Sequence, residues 1–410
     1  MTKRRDYTIW LMSLLTFALG FAVFYALVQR EGSDISIHAV WAGEGSFANL
    51  KTFFYHGAHP LWHVLVALAV RTGLPLWTAA ALITALCKAT EVWLLIALCA
   101  RALGGRGWLA SLCGLTASLV SAVWVPVLNP GIYLGVGSPN PWHSPTQLIA
   151  MVFMLLCVPM TAGSVEGFRR RLPQDGAKAT VPWREVWVLA ALLFVSLAAK
   201  PTFMQAFLPA ACLYFLLLWV QKPKNTPFIL RMMAAAAPAV ALMVLQYMFY
   251  FGIIVPSQGE MVLQVTWGKA GEVAVSVLLT RLFPIFVLAA CMDRDTFKTP
   301  LTQLTLWMDA VAILEMLLLG ENGRRASDGN FGWAMMGSAL MLWAVTLPVF
   351  VRGLIRWLMR RRAAAEGRPT LASHPRLEPY KWAAGALLLL WHLASGIAYI
   401  AYLLNSTARL

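Results

Sequence analysis

The stretch Thr8–Val28, TIWLMSLLTFALGFAVFYALV, decides the fold, because it passes without a single charge. A helix of that length rises about 30 Å, the thickness of a bilayer's hydrocarbon core. Lys3, Arg4 and Arg5 precede it. The run is longer than a signal-peptide core of about 7–15 residues, and no small-x-small cleavage site follows. It therefore reads as a retained first span. The same signature recurs down the chain. Apolar runs at 8–28, 75–100, 107–128, 147–163, 185–199, 202–220, 231–255, 273–292, 300–319, 333–351 and 382–404 predict eleven crossings. Pro60–Val70 is apolar but too short to cross, and is expected flat or re-entrant at the membrane surface.

Composition agrees. Of 410 residues 60% are hydrophobic and only 12% charged, about half the charge of a soluble domain. Soluble enzymes, disordered scaffolds, disulfide-stapled secreted domains and nucleic-acid readers are excluded on that ground. The six cysteines all lie in apolar segments without C-x-x-C spacing, which supports neither a disulfide framework nor a zinc cluster. The expected fold is an all-α polytopic membrane protein of about eleven spans. It forms one transmembrane domain over 1–410, with juxtamembrane helices in a first outer loop at 29–74 and a basic cytoplasmic linker at 352–381.

Most of the 33 Lys and Arg residues fall on one side if the N-terminus is cytoplasmic and the C-terminus outside, as the bias toward positive cytoplasmic loops requires. The net charge of +15 then reports orientation in the membrane and contact with anionic lipid, not a nucleic-acid footprint. Five of the seven histidines, His38, His56, His59, His63 and His143, fall on the outer face.

Candidate chemistry gathers there. In R-E-G-S-D-I-S-I-H-A-V-W, Ser33 can cap a short helix on which Asp34 and His38, four apart, share a face. That spacing suits a general base tuned by an imidazole, and equally a plain aspartate at the positive end of a helix. His59 and His63 are also four apart, around Pro60. No third ligand stands at recognisable spacing, so metal is not expected, and the pair suits an interfacial belt or phosphate donors. The breaker-rich loop V-L-N-P-G-I-Y-L-G-V-G-S-P-N-P-W-H-S-P-T offers Asn140, Trp142 and His143 as pocket lining or as a structural turn. Lys200, and Arg324, Arg325, Asp328 and Asn330 in E-N-G-R-R-A-S-D-G-N-F-G-W, place charge on the outer face, where paired arginines suit a phosphate. Within the spans, Lys88 and Glu91 sit three apart and can neutralise each other, whereas Asp309 and Glu315 have no local partner.

The order of features resembles the GT-C superfamily of membrane glycosyltransferases, in particular the bacterial dolichyl-phosphate-mannose-protein mannosyltransferase-like and aminoarabinose-transferase-like branch. The resemblance rests on one span, an outer loop with an early acid, His59-Pro60-Leu61-Trp62 where that family has a P-P-L-Y-type helix, and Ala100-Arg101-Ala102-Leu103-Gly104 closing the next span. Ala198–Thr202, A-A-K-P-T, is similar to the family's turn between two later spans. The likeness covers about residues 8–220; a lone Asp34 stands where the family has paired acids, and no large outer domain follows the last span. It implies a GT-C-like fold, a sugar carried on a polyprenyl phosphate as donor, inverting transfer on the outer face with no cofactor, and membrane lipids and envelope-biosynthesis proteins as partners. Asp34 would be the general base. Lys200, Arg324 and Arg325 would stabilise the departing phosphate, with His59 and His143 as neutral donors. The alternatives are a lipid or solute transporter or flippase, an envelope-polysaccharide polymerase, and an O-acyltransferase using His392.

Overall fold

A computed structural model describes residues 7–105, 107–128, 131–132, 137–175, 179–250, 261–322, 330–366 and 378–405. Its helices are α1 Thr8–Val28, α2 Asp34–Glu44, α3 Leu61–Arg71, α4 Leu76–Ala102, α5 Gly107–Leu119, α6 Pro145–Asp175 and α7 Trp183–Ala199. They continue as α8 Thr202–Gln221, α9 Thr226–Tyr250, α10 Trp267–Ala290, α11 Arg294–Phe297, α12 Pro300–Leu318, α13 Trp333–Ala365 and α14 Glu378–Asn405. Two short strands, β1 Met261–Leu263 and β2 Leu319–Glu321, pair antiparallel with Val262 opposite Gly320. The chain is an all-α polytopic membrane protein in which, among the described residues, nine helical segments are long and apolar enough to cross a bilayer.

Two of the eleven expected crossings fall short of roughly 30 Å of hydrocarbon: α7, with 17 residues and about 25 Å, is as short as the span expected at 185–199, whereas α5, with only 13 residues and about 20 Å, stops well before the end of the span expected at 107–128. α5 stops because other helices satisfy the backbone that follows it. The Ser121 N–H donates to the His392 carbonyl and the Val123 N–H to the Leu279 carbonyl, while the Trp124 N–H reaches Ser395 Oγ at 3.0 Å. α10 opens to receive this segment. Pro284 has no N–H for the Thr280 carbonyl, which accepts the Trp343 indole N–H instead at 3.3 Å. The Phe283 N–H turns to His392 Nε2 at 3.3 Å, and His392 Nδ1 donates to the Ser121 carbonyl at 2.6 Å. Irregular backbone inside a membrane protein survives only where protein groups pair it. His392 bridges two backbones in this way, which gives the histidine a structural place instead of the catalytic one an O-acyltransferase would need.

α13 is buried throughout Ala334–Phe350 and runs through the centre of the bundle. Such a helix is apolar all round because it meets protein on every side. Its charge-rich continuation forms the start of the segment expected as a linker at 352–381: α13 remains helical through Arg360, Arg361 and Arg362 to Ala365, and α14 begins at Glu378. α1 lies along α4, where Gly20 approaches Ala85 and Ala79, Ala80 and Ala81 are fully buried, the small-residue contact by which membrane helices close. Trp10, Leu14, Trp187 and Val220 are exposed and form part of a lipid-facing belt.

Of the four intramembrane charges singled out in the sequence, Lys88, Glu91 and Asp309 are paired, while Glu315 Oε2 on α12 is buried with no hydrogen-bond partner among the described residues. Lys88 Nζ donates to Glu91 Oε1 at 2.6 Å and to Asn140 Oδ1 at 2.9 Å. Asp309, which has no partner on its own helix, finds one on α10: Arg281 Nε and Nη2 grip its carboxylate at 2.7–3.0 Å, and Ser338 Oγ donates to it at 2.7 Å. Arg281 lies inside the span expected at 273–292, within α10, and is 1% exposed.

Candidate active site at the α2–α3 end of the bundle

Ser33 builds the first half of the site. Its Oγ accepts the Ser36 N–H at 3.2 Å and donates to the Leu27 carbonyl at 2.7 Å, pinning the start of α2 to the end of α1. Gly32 makes the turn between them at φ +79°, where a side chain would be strained. Asp34 is thus the first residue of α2, at the helix's positive end. One turn on, His38 Nε2 lies 3.4 Å from Asp34 Oδ1, and His38 Nδ1 lies 2.9 Å from His63 Nε2. His63 is held by α3, the short surface helix expected at 60–70, which Trp62 anchors by burying its ring and donating its indole N–H to Thr84 Oγ1 of α4 at 3.2 Å.

The second half comes from distant chain. His143 precedes α6 and its Nδ1 lies 2.7 Å from the Tyr399 hydroxyl of α14. Lys200, in extended conformation between α7 and α8, places Nζ 3.8 Å from the Trp333 ring centroid. Both are buried, and both act on Asp34 through their charge.

Electrostatics separates the roles. Burial pushes the Asp34 carboxyl up, but the charge and hydrogen bond of His38, then the charges of His143 and Lys200, outweigh it and hold the carboxyl well below the usual range. Burial, with repulsion from His38 and His56, pulls His63 down to about 3. Burial, opposed by the attraction of Asp34 and aided by Lys200, pulls His143 down to about 4. At neutral pH the site holds one carboxylate, with 28% of its side chain exposed, together with the neutral imidazoles of His63 and His143 and the Lys200 side chain. His63 Nδ1 is buried and has no hydrogen-bond partner among the described residues.

Asp34, His38, His63, His143 and Lys200 therefore form one electrostatically coupled group. Other expected site residues are placed differently. Asn140 is fully engaged: it accepts from Lys88 and donates to the Ala117 and Val120 carbonyls at 2.9 and 2.8 Å, capping the end of α5. Asn330 donates to Glu321 Oε2 at 2.5 Å and lines a different cavity, of about 430 Å³, with Lys269 and Glu272. His59 is half-buried in the turn before α3. Arg324, Arg325 and Asp328 lie outside the described residues. Among the described residues no group of three or more His, Cys, Asp or Glu side chains is disposed to hold a metal ion.

Several contributors were not foreseen. Tyr399 and Trp333 look like ordinary span aromatics until the fold sets them against His143 and Lys200. Trp41 packs its edge on His38, with ring centroids 4.8 Å apart, and stacks on His56 at 4.6 Å. It also lines a groove of about 670 Å³ between α1, α2 and the start of α4. That groove lies along the side of α2 and not over the carboxylate itself. The chain matches no protein-family model and no curated protein sequence.

Proposed function

We propose that the chain is a membrane glycosyltransferase that moves a sugar from a polyprenyl-phosphate-linked donor to an acceptor on the outer face of a bacterial cytoplasmic membrane. One observation carries the reading: a partly exposed Asp34 at a helix N-terminus, its carboxyl held below the usual range, gathered with His38, His143 and Lys200 at one end of a membrane bundle. As the acceptor oxygen bonds to the anomeric carbon, its proton passes to the Asp34 carboxylate. The bond from that carbon to the phosphate oxygen breaks, and its electron pair leaves on the polyprenyl phosphate. Lys200 offsets the charge that develops there. A carboxylate this acidic is a weak base, so the proton transfers late, when bond formation has already acidified the hydroxyl. His38 keeps the carboxylate oriented.

In liposomes holding a panel of polyprenyl-phosphate monosaccharides, Asp34→Asn is expected to slow transfer about 10²–10⁴-fold. Full transfer by the variant removes the proposal. Charges within the spans favour a second reading, transport of a lipid or solute. Lys88–Glu91 and Arg281–Asp309 are each closed by their own partners, which supports a structural place for them. Flux through liposomes that persists in Asp34→Asn and stops in Arg281→Met would favour transport.

A further inference from the structure

We propose that the groove between α1, α2 and α4 is the acceptor site and that the acceptor is itself a saccharide; this rests on the transferase reading above. The groove, about 670 Å³, is in the size range of small-ligand sites. Its walls carry three aromatic rings, Tyr25, Trp41 and Trp77, interleaved with the amide of Gln29, the carboxylate of Glu31 and Ser36. That mixture matches one ligand chemistry. A pyranose shows flat patches of C–H that rest on an indole, and a rim of hydroxyls that bond to amides and carboxylates. An acyl chain would strip water from Gln29 and Glu31 and give nothing back. A phosphate would meet Arg30 and Glu31 together, so no net positive charge greets it, and Arg30 already donates to the Leu403 carbonyl of α14.

Trp41 is built as a platform. The His56 ring lies parallel to it, 6° from coplanar at 4.6 Å, and His56 Nε2 is itself 2.7 Å from Glu44 Oε2. His38 presses on it nearly perpendicular, at 81°. A ring clamped on two sides loses little freedom when a ligand arrives, which is how an aromatic contact becomes affinity. Trp41 also stands seven residues after Asp34, two turns along the same stripe of α2. The distance between them along the axis is about 10 Å, close to the length of two linked sugar units. A saccharide stacked on Trp41 and lying along α2 extends its terminal hydroxyl toward the carboxylate. The groove and the acid cluster, on adjoining sides of one helix, are thus two parts of one site.

The test uses the full chain in lipid nanodiscs with short-chain alkyl glycosides carrying different disaccharide heads, and an oligo(ethylene glycol) ether of the same tail as control. Binding is read by saturation-transfer NMR at the sugar protons. At least one glycoside is expected to bind saturably and the ether not to bind. Trp41→Ala and Trp77→Ala are each expected to weaken glycoside binding about tenfold, and Trp187→Ala, on the lipid-facing side of α7, to leave it unchanged. Trp77 is 38% exposed, so its replacement opens no core and keeps the test alive if Trp41→Ala fails to fold. Absence of glycoside binding, equal binding of glycoside and ether, or full binding by Trp77→Ala overturns the inference. Binding needs no turnover: a protein that binds glycosides but transfers no sugar keeps the saccharide site and loses the enzyme, and the reverse result loses only the site.

Discussion

Breaking the Arg281–Asp309 pair from one side should be far worse than removing it whole. The guanidinium is 1% exposed and meets the carboxylate through Nε and Nη2, with further bonds to the Met335 carbonyl at 2.8 Å and to Ser338 Oγ at 3.3 Å. Asp309→Leu keeps the branched shape but leaves a buried cation facing one carbonyl and one hydroxyl, at a cost of about 3–5 kcal/mol. The double variant Arg281→Met/Asp309→Leu leaves no charge to solvate and fills the space with apolar atoms, so it should recover most of that loss. The signature is a coupling energy of about 3 kcal/mol in a double-mutant cycle. Reversible unfolding in mixed detergent micelles, followed by circular dichroism, measures it. A single variant within about 1 kcal/mol of wild type, or a double variant as unstable as the single, would refute the claim that this pair is a closed structural contact.

Further outcomes follow from the same geometry. A histidine whose folded pKa is depressed takes its proton first in the unfolded chain, so stability should fall as pH drops from 6.5 toward about 4 for His143 and about 3 for His63. Each contributes up to about 1.4 kcal/mol per pH unit in that window, and His143→Gln should flatten the slope in an acid-unfolding series. The depressed Asp34 carboxyl contributes stability that is full above the ordinary carboxylate range and is lost as pH falls below that range toward its low folded value. A Cβ at Gly396 would stand 1.8 Å from the Leu119 carbonyl oxygen, backbone that cannot swing aside, so Gly396→Ala should destabilise by about 1–3 kcal/mol in the micelle assay, and a neutral result would place α14 farther from α5. Reporter fusions should read the N-terminus as cytoplasmic and the C-terminus as external; the opposite pattern would put Asp34 on the wrong side of the membrane for the proposed transfer.

What was legible in the sequence was local. The first span matches at both ends because an uncharged run of bilayer length has few alternatives, and α3 forms as a separate 11-residue helix over the apolar segment too short to cross. Asp34 and His38 meet because helical spacing makes i and i+4 neighbours once Ser33 caps the turn. The misses share a cause: they depend on partners far along the chain. α5 reads as a full span because nothing near residue 119 announces that α10 and α14 hold the waiting groups. Asn140 reads as pocket lining because its three partners, Lys88, Ala117 and Val120, lie 20 or more residues away. Asp309 reads as unpaired because Arg281 is on another helix. Tyr399 carries no local signal at all.

The most direct measurement is a structure of the protein in lipid with a non-transferable polyprenyl-phosphate sugar bound. The expected result is the anomeric carbon beside the Asp34 carboxylate, with the phosphate on the Lys200 side of the cluster and the tail leaving between helices into lipid. A donor seated instead within the bundle near Lys88 or Arg281, with Asp34 empty and distant, would contradict the assignment of Asp34 as the reacting acid.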